Sequence, residues 1–165
     1  MILVKYGNSK YLKRIMQGKL RFFRWLWYRD RELKFLDHGY KNMDYGLLGQ
    51  APVFGLSLYD SIEDFKAHKD TMTHSFPVYT KALIIYTPDQ FIEDVHKAVA
   101  CFEHGQVKYV TQKSSTTENT YEDIFEKEEA FSYQNEYRLL LKNVYCSSPL
   151  SIRFFNQSKM KIVDL

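Results

Sequence analysis

Apolar positions switch between two spacings along the chain, and the switches mark the elements. Met1 to Tyr6 is apolar and partly β-branched, which predicts an opening strand. Gly7-Asn8-Ser9 predicts a turn that ends in a helix cap. Tyr11, Leu12, Ile15 and Met16 then fall on one helical face, and Gly18 closes that helix. Lys19 to Trp25 predicts a second strand, and Pro52 to Leu58 a buried one. Asp60-Ser61 predicts a capped helix through Lys69 with Ile62 and Phe65 inward, followed by a strand from Pro77 to Tyr86. Thr87-Pro88-Asp89 pairs a capping hydroxyl with proline at the first helical position. The helix it starts carries Phe91, Ile92, Val95, Val99 and Phe102 and is expected to end at Gly105. A strand from Gln106 to Thr111, an acidic helix from Thr120 to Ala130, and a strand from Glu136 to Leu141 follow. Ser151 to Phe155 and Met160 to Val163 predict two closing strands.

Two stretches lack either spacing. Asp30 to Gln50 is polar, with turn signals at Asp37-His38-Gly39 and Asp44-Tyr45-Gly46 and a helical turn expected near Arg31 to Leu36. Long excursions of this kind inside compact domains are often functional. Lys113 to Asn119 reads as a hydrophilic loop. No internal repeat is present. Seven or eight strands and four helices predict one α+β domain over residues 1–165, with peripheral helices around antiparallel sheet pairs.

Composition narrows the class. The chain has 165 residues, 45% hydrophobic and 16% aromatic, with only 7 Gly and 4 Pro, so it can bury a core and is not a disordered or linker-like chain. The longest strong apolar run is Ala82 to Tyr86, far short of the roughly 20 residues of a membrane helix. The strand-like N-terminus predicts no signal peptide. Two cysteines, Cys101 and Cys146, make no disulfide framework and read as reduced thiols, which together predict a cytoplasmic protein. The five histidines show no metal-type spacing, so no metal site is expected. No Gly-rich phosphate loop, nucleophile elbow or HExxH motif occurs, which argues against common kinases, hydrolases and metalloproteases.

Charge is distributed unevenly. Residues 1–50 hold 11 Lys/Arg against 4 Asp/Glu, whereas residues 87–136 hold 4 against 11. The two segments can neutralise each other within the fold, or the basic one can meet an anion such as a nucleotide diphosphate or nucleic acid. The run Lys19 to Arg31 interleaves cations with Phe22, Phe23, Trp25, Trp27 and Tyr28. That mixture suits stacking on bases, and equally a strand whose Arg stems lie across a core edge.

The densest chemistry lies in Gln134-Asn135-Glu136-Tyr137-Arg138, just before an apolar Leu run. Residues two apart on a strand share a face, so Gln134, Glu136 and Arg138 would present an amide, a carboxylate and a guanidinium in a row. A structural ion pair and a catalytic carboxylate beside an orienting amide both fit this pattern.

Gln134-x-Glu136 resembles the catalytic turn of ADP-ribosyltransferases. Leu3 to Leu20 looks like the first strand and helix of the DNA- and RNA-targeting toxins of that group, which share the ending "Ile-x-x-Gly-x-Leu". Pro52 to Ser57 resembles their central strand ending in Ser. Val107-Lys108-Tyr109, Phe125-x-Lys127 and Gln134-x-Glu136-x-Arg138 are similar to a pattern in small proteins of phages and bacterial mobile elements that look like distant members. The resemblance implies antiparallel split sheets and an NAD-binding cleft. It places Lys5 at the first-strand position of a His or Arg, Ser57 at the central Ser, Glu136 at the catalytic Glu and Gln134 at the acceptor-orienting position. It also implies that Arg138 or the basic N-terminal segment holds the diphosphate, and that Tyr6, Tyr11 or Tyr133 stacks on nicotinamide. Lys5 departs from the family, since an ammonium has neither the bidentate fork of Arg nor the neutral acceptor of His.

Three functions follow as expectations. One is an NAD-dependent ADP-ribosyltransferase of phage or mobile-element origin that modifies a host protein or nucleic acid in the host cytoplasm, as a toxin or against host defence. A second is a catalytically silent member of the same fold that inhibits bacterial immunity by binding a partner protein or sequestering a nucleotide signal; the Lys5 departure points this way. The third is a plain nucleic-acid-binding domain resting on residues 19–31. The tyrosine-rich surface leaves self-association open.

Overall fold

The computed structural model describes residues 1–27, 47–75, 77–111 and 120–165. The expected turn near Arg31 to Leu36, most of the 30–50 excursion and the 113–119 loop lie outside them. Three helices and ten strands are described: β1 (Ile2–Gly7), α1 (Ser9–Met16), β2 (Lys19–Arg24), β3 (Pro52–Tyr59), α2 (Ile62–Ser75), β4 (Lys81–Ile85), α3 (Pro88–Ala98), β5 (Phe102–Gln106), β6 (Lys108–Val110), β7 (Glu126–Glu128), β8 (Glu136–Leu141), β9 (Leu150–Arg153) and β10 (Met160–Asp164). The architecture is α+β and its main sheet is antiparallel throughout. Among the described residues no helix is long and apolar enough to cross a membrane.

β3 organises the sheet. One edge pairs with β8 over residues 53–57, and β8 in turn pairs with β5. The other edge is shared. Ile2, Leu3 and Val4 of β1 pair with Tyr59, Leu58 and Ser57, while Phe23 and Arg24 of β2 pair with Val53 and Pro52. On its other edge β1 pairs with β4 from Leu3 to Gly7, and β4 pairs onward with β10; beyond Val4, β1 has left β3. Before Phe23, β2 runs against β9. The two strands therefore part around the middle of β3, and the sheet forks at Gly55 and Leu56.

Side-chain alternation builds a core on each face. Leu3, Phe54, Leu56, Leu83, Ile85, Leu139 and Leu141 pack with Leu12 and Ile15 of α1 and Phe91 and Val95 of α3. On the opposite face Ile2, Val4, Tyr6, Tyr59, Ala82 and Ile84 pack with Phe65 and Met72 of α2. A smaller cluster of Trp25, Ala51, Val53, Ile124 and Leu140 closes the β8 side. Each face buries several large side chains, and burial of each contributes about 1.5–3 kcal/mol.

Local signals were realised unevenly. Asn8 caps α1, its side chain accepting from the Tyr11 amide at 2.9 Å, and Ser61 accepts from the Asp64 amide at 3.0 Å. Gly18 takes φ +71°, where a Cβ would lie 2.0 Å from the Phe154 carbonyl oxygen. Thr87 makes no cap bond; its hydroxyl instead accepts from the Lys159 amide at 2.9 Å and ties α3 to the approach to β10.

The helix expected through Gly105 stops at Ala98, and Phe102 to Gln106 form β5. Phe102 continues the helical spacing of Phe91 and Val95, but pairing with Leu141 to Tyr137 of β8 offers five residues a ladder instead. The expected strand from Pro77 is shorter, beginning at Lys81. The acidic helix expected over Thr120–Ala130 is absent. A 3₁₀ turn (Tyr121–Phe125), strand β7 and a second 3₁₀ segment (Glu129–Gln134) replace it. A helix here would stack Glu122 on Glu126 at like-charge i, i+4 spacing. β7 pairs parallel with β6 and turns Lys127 inward.

Candidate functional site

The fork opens into a cleft of about 880 Å³. Its floor is Gly55, Leu56 and Ser57 of β3. Lys5 and Tyr6 come from β1, Lys19 and Arg21 from β2, and Ser151 and Arg153 from β9. The 3₁₀ segment before β8 supplies Phe131, Tyr133 and Gln134, β8 supplies Glu136, and β7 supplies Lys127. This size falls within the range of small-molecule sites, about 300–1,000 Å³.

Lys5, Tyr6, Ser57, Tyr133, Gln134 and Glu136, selected from three separate stretches of sequence, all line this one cleft. Arg138 does not. Its guanidinium is buried beneath the floor, 1% exposed, and does not face the space where a diphosphate would sit. Nε donates to Glu136 Oε1 at 2.8 Å, Nη2 to Oε2 at 3.1 Å, and Nη1 to the Ile124 carbonyl. The diphosphate role expected of Arg138 is therefore corrected. A residue two positions after Glu136 on the same face reaches the carboxylate before it reaches any ligand.

Glu136 opens β8 opposite Ser57. Its backbone nitrogen donates to the Tyr109 hydroxyl at 2.7 Å and its carbonyl accepts from the Val107 amide at 2.8 Å, so the strand start is pinned from both sides. Lys127 Nζ donates to Oε2 at 2.8 Å and to Gln134 Oε1 at 2.7 Å. Burial alone would raise the Glu136 carboxyl, but the charges of Arg138 and Lys127 and their hydrogen bonds outweigh it and hold the group far below the usual carboxylate range. Glu136 is ionised at neutral pH and clasped by two cations.

Gln134 lies at the end of the 3₁₀ segment rather than on the strand, because Asn135 between it and Glu136 adopts φ 42°. The amide and the carboxylate meet through Lys127 instead of through strand alternation. Gln134 Nε2 also donates to the Tyr133 hydroxyl at 3.2 Å. Lys127 is the residue whose role the pattern concealed. It stands in Glu126-Lys127-Glu128-Glu129, a run that reads as a solvated acidic surface, and only the β6–β7 pairing turns it inward.

Lys5 reaches across the fork, donates to the Gly55 carbonyl and lies 4.7 Å from the Phe54 ring centroid. Burial lowers its ammonium, the Glu136 charge partly restores it, and the result is about 8. Tyr6 and Tyr59 share a hydrogen bond of 2.8 Å between their hydroxyls, and burial pushes both phenols up, so both stay neutral. Ser57 is buried beside this pair. Tyr11 and Trp27 line the mouth, and Trp27 stacks on Phe23 with centroids 4.7 Å apart.

Lys5, Arg14, Lys19, Arg21, Lys127 and Arg153 give the lining six cations, and Glu136 is the one acid among the described lining residues. Basic and aromatic walls around an enclosed volume are the chemistry that holds a nucleotide: guanidinium and ammonium groups for phosphate, flat rings for a base. Among the described residues no cluster of His, Cys, Asp or Glu is arranged to hold a metal ion. Comparison with protein-family models, curated proteins and solved structures returned no match for this chain.

Proposed function

We propose that this chain is an ADP-ribosyltransferase-like protein whose forked sheet binds a nucleotide of the NAD class. The observation that carries the reading is the convergence of Lys5, Ser57, Gln134 and Glu136 on a single basic, aromatic cleft where β1 and β2 part. The residues present fit a dinucleotide: cations for its diphosphate, and tyrosines and Trp27 for its rings.

Binding without transfer is the mode this geometry favours. A carboxylate assists glycosidic cleavage by placing uncompensated negative charge beside the developing cation. Glu136 has its charge matched by Arg138 and Lys127, and Lys5 adds a third cation near it. A cleft floor of net positive charge attracts phosphate and repels an oxocarbenium-like centre. The protein would then sequester a host nucleotide signal or present the filled cleft to a host partner, as the resemblance to phage and mobile-element proteins implies. ADP-ribosyl transfer is the second reading, favoured by the placement of both Gln134 and Glu136 on the cleft wall.

Incubation with NAD labelled in its adenylate half, with a bacterial lysate present, separates the modes when run beside equilibrium binding. Saturable NAD binding without label transfer is the expected result. Label transfer that disappears in Glu136→Gln establishes the enzyme. Absence of binding by NAD, ADP-ribose and other nucleotides refutes both.

A further inference from the structure

One wall of the cleft carries more positive charge than a dinucleotide diphosphate requires. Lys19 and Arg21 lie two apart on β2 and share a face. Across the β2–β9 ladder Arg153 stands directly opposite Lys19, and Ser151 opposite Arg21. Arg14, on the last turn of α1 before the Gly18 turn into β2, lines the same cleft. No described carboxylate pairs with any of these four cations.

Like charges directly opposite each other on a ladder disfavour the pairing. Lys19 against Arg153 is such a pair, and Arg21 and Arg14 extend it. Arg21 lies over the Phe23 ring, 5.3 Å from its centroid, but the repulsion between Lys19 and Arg153 has no described carboxylate to offset it; an anion seated between the side chains would turn that repulsion into attraction. The hydroxyl of Ser151, in the middle of the patch, adds a neutral donor of the kind phosphate oxygens accept. Lys5, on β1, lines the same cleft and can meet a first phosphate group, whereas Lys127 is engaged by Glu136 and Gln134.

We propose that the Arg14–Lys19–Arg21–Arg153 wall is a subsite for an additional phosphate, so that the cleft selects nucleotides with three or more phosphate groups, such as a 2′-phosphorylated dinucleotide or a nucleoside triphosphate. The inference rests on the nucleotide-binding reading and sharpens it to a ligand class. Arg14, Arg21 and Arg153 offer planar forks that can grip phosphate oxygens two at a time.

The test is equilibrium titration of the full chain at low salt with NAD against NADP and ADP against ATP, together with a single-stranded oligonucleotide. NADP and ATP are expected to bind at least about tenfold tighter than NAD and ADP, with a preference that shrinks as salt is added. In the double variant Lys19→Gln/Arg153→Gln both ratios should fall towards one. The four positions are exposed, so the variant should fold, and a thermal melt checks that it does. Ratios near one in the wild type would overturn the subsite while leaving nucleotide binding in place. Ratios unchanged in the double variant would overturn it too. No binding of any nucleotide would remove the underlying reading as well. An oligonucleotide that outcompetes NADP and ATP would replace the subsite with a nucleic-acid track.

Discussion

Arg138→Met is the substitution with the largest effect expected on this protein. Arg138 is 1% exposed and Glu136 7%, so neither charge is compensated by water. The guanidinium makes two hydrogen bonds to the carboxylate, at 2.8 and 3.1 Å, and a third to the Ile124 carbonyl. Methionine keeps most of the aliphatic stem and removes all three. Glu136 is then left buried with Lys127 as its hydrogen-bonding cation, and the Ile124 carbonyl loses a donor. Breaking one partner out of a buried pair costs about 3–5 kcal/mol. For a chain of this length each kcal/mol moves the melting temperature by roughly 2–4 °C, so a drop of about 10 °C is expected.

Urea unfolding followed by tryptophan fluorescence measures the free energy directly, and acid titration supplies a second signature. The Glu136 carboxyl is held below its unfolded value of about 4.3. Its contribution is therefore full above that pH and is lost as the pH falls further, because the unfolded state takes up the proton first. Arg138→Met should flatten this acid limb. The triple variant Arg138→Met/Glu136→Gln/Lys127→Met should recover much of the loss, since it removes all three buried charges together. A single-variant loss under 1 kcal/mol with an unchanged acid limb would refute the claim that this ion pair anchors the cleft floor.

Two further outcomes follow from the same geometry. The Lys5 ammonium titrates near pH 8, so nucleotide affinity measured by calorimetry should decline as the pH rises through 8, and Lys5→Met should abolish that dependence; folding itself moves the other way, because deprotonation relieves a buried cation and stability rises from pH 8 towards the unfolded lysine value of about 10.4. Gly18→Ala should destabilise by about 3 kcal/mol in a thermal or denaturant melt, since it forces a side chain into the left-handed region and against the Phe154 carbonyl; a loss below 1 kcal/mol would mean that the α1–β2 turn is not the close approach described.

Period and punctuation alone were enough for most elements. β1, α1, β2, β3 and β8 lie within a residue or two of their expected bounds, because each combines a clear apolar spacing with a local stop such as Gly18 or a cap such as Asn8. The errors fall where two structures compete for one stretch. Phe102 fits the helical period of α3 yet pairs with β8, and the acidic run before β8 has a helix former's composition but gives Glu126, Lys127 and Glu128 to a parallel pair with β6. Long-range pairing decides such cases, and a local window does not contain it.

The chain's own order of residues determined the α+β class and singled out Gln134, Glu136 and Arg138, because residue chemistry and apolar spacing are local properties; Lys5 and Ser57 were placed only by the resemblance to ADP-ribosyltransferases. Which of them share a cleft was settled by one long-range feature, the division of a single β3 edge between β1 and β2. The fate of the carboxylate was likewise tertiary. Arg138 sits two residues away and was visible as a candidate partner, but Lys127 arrives from another strand, and only burial makes the three charges depend on one another.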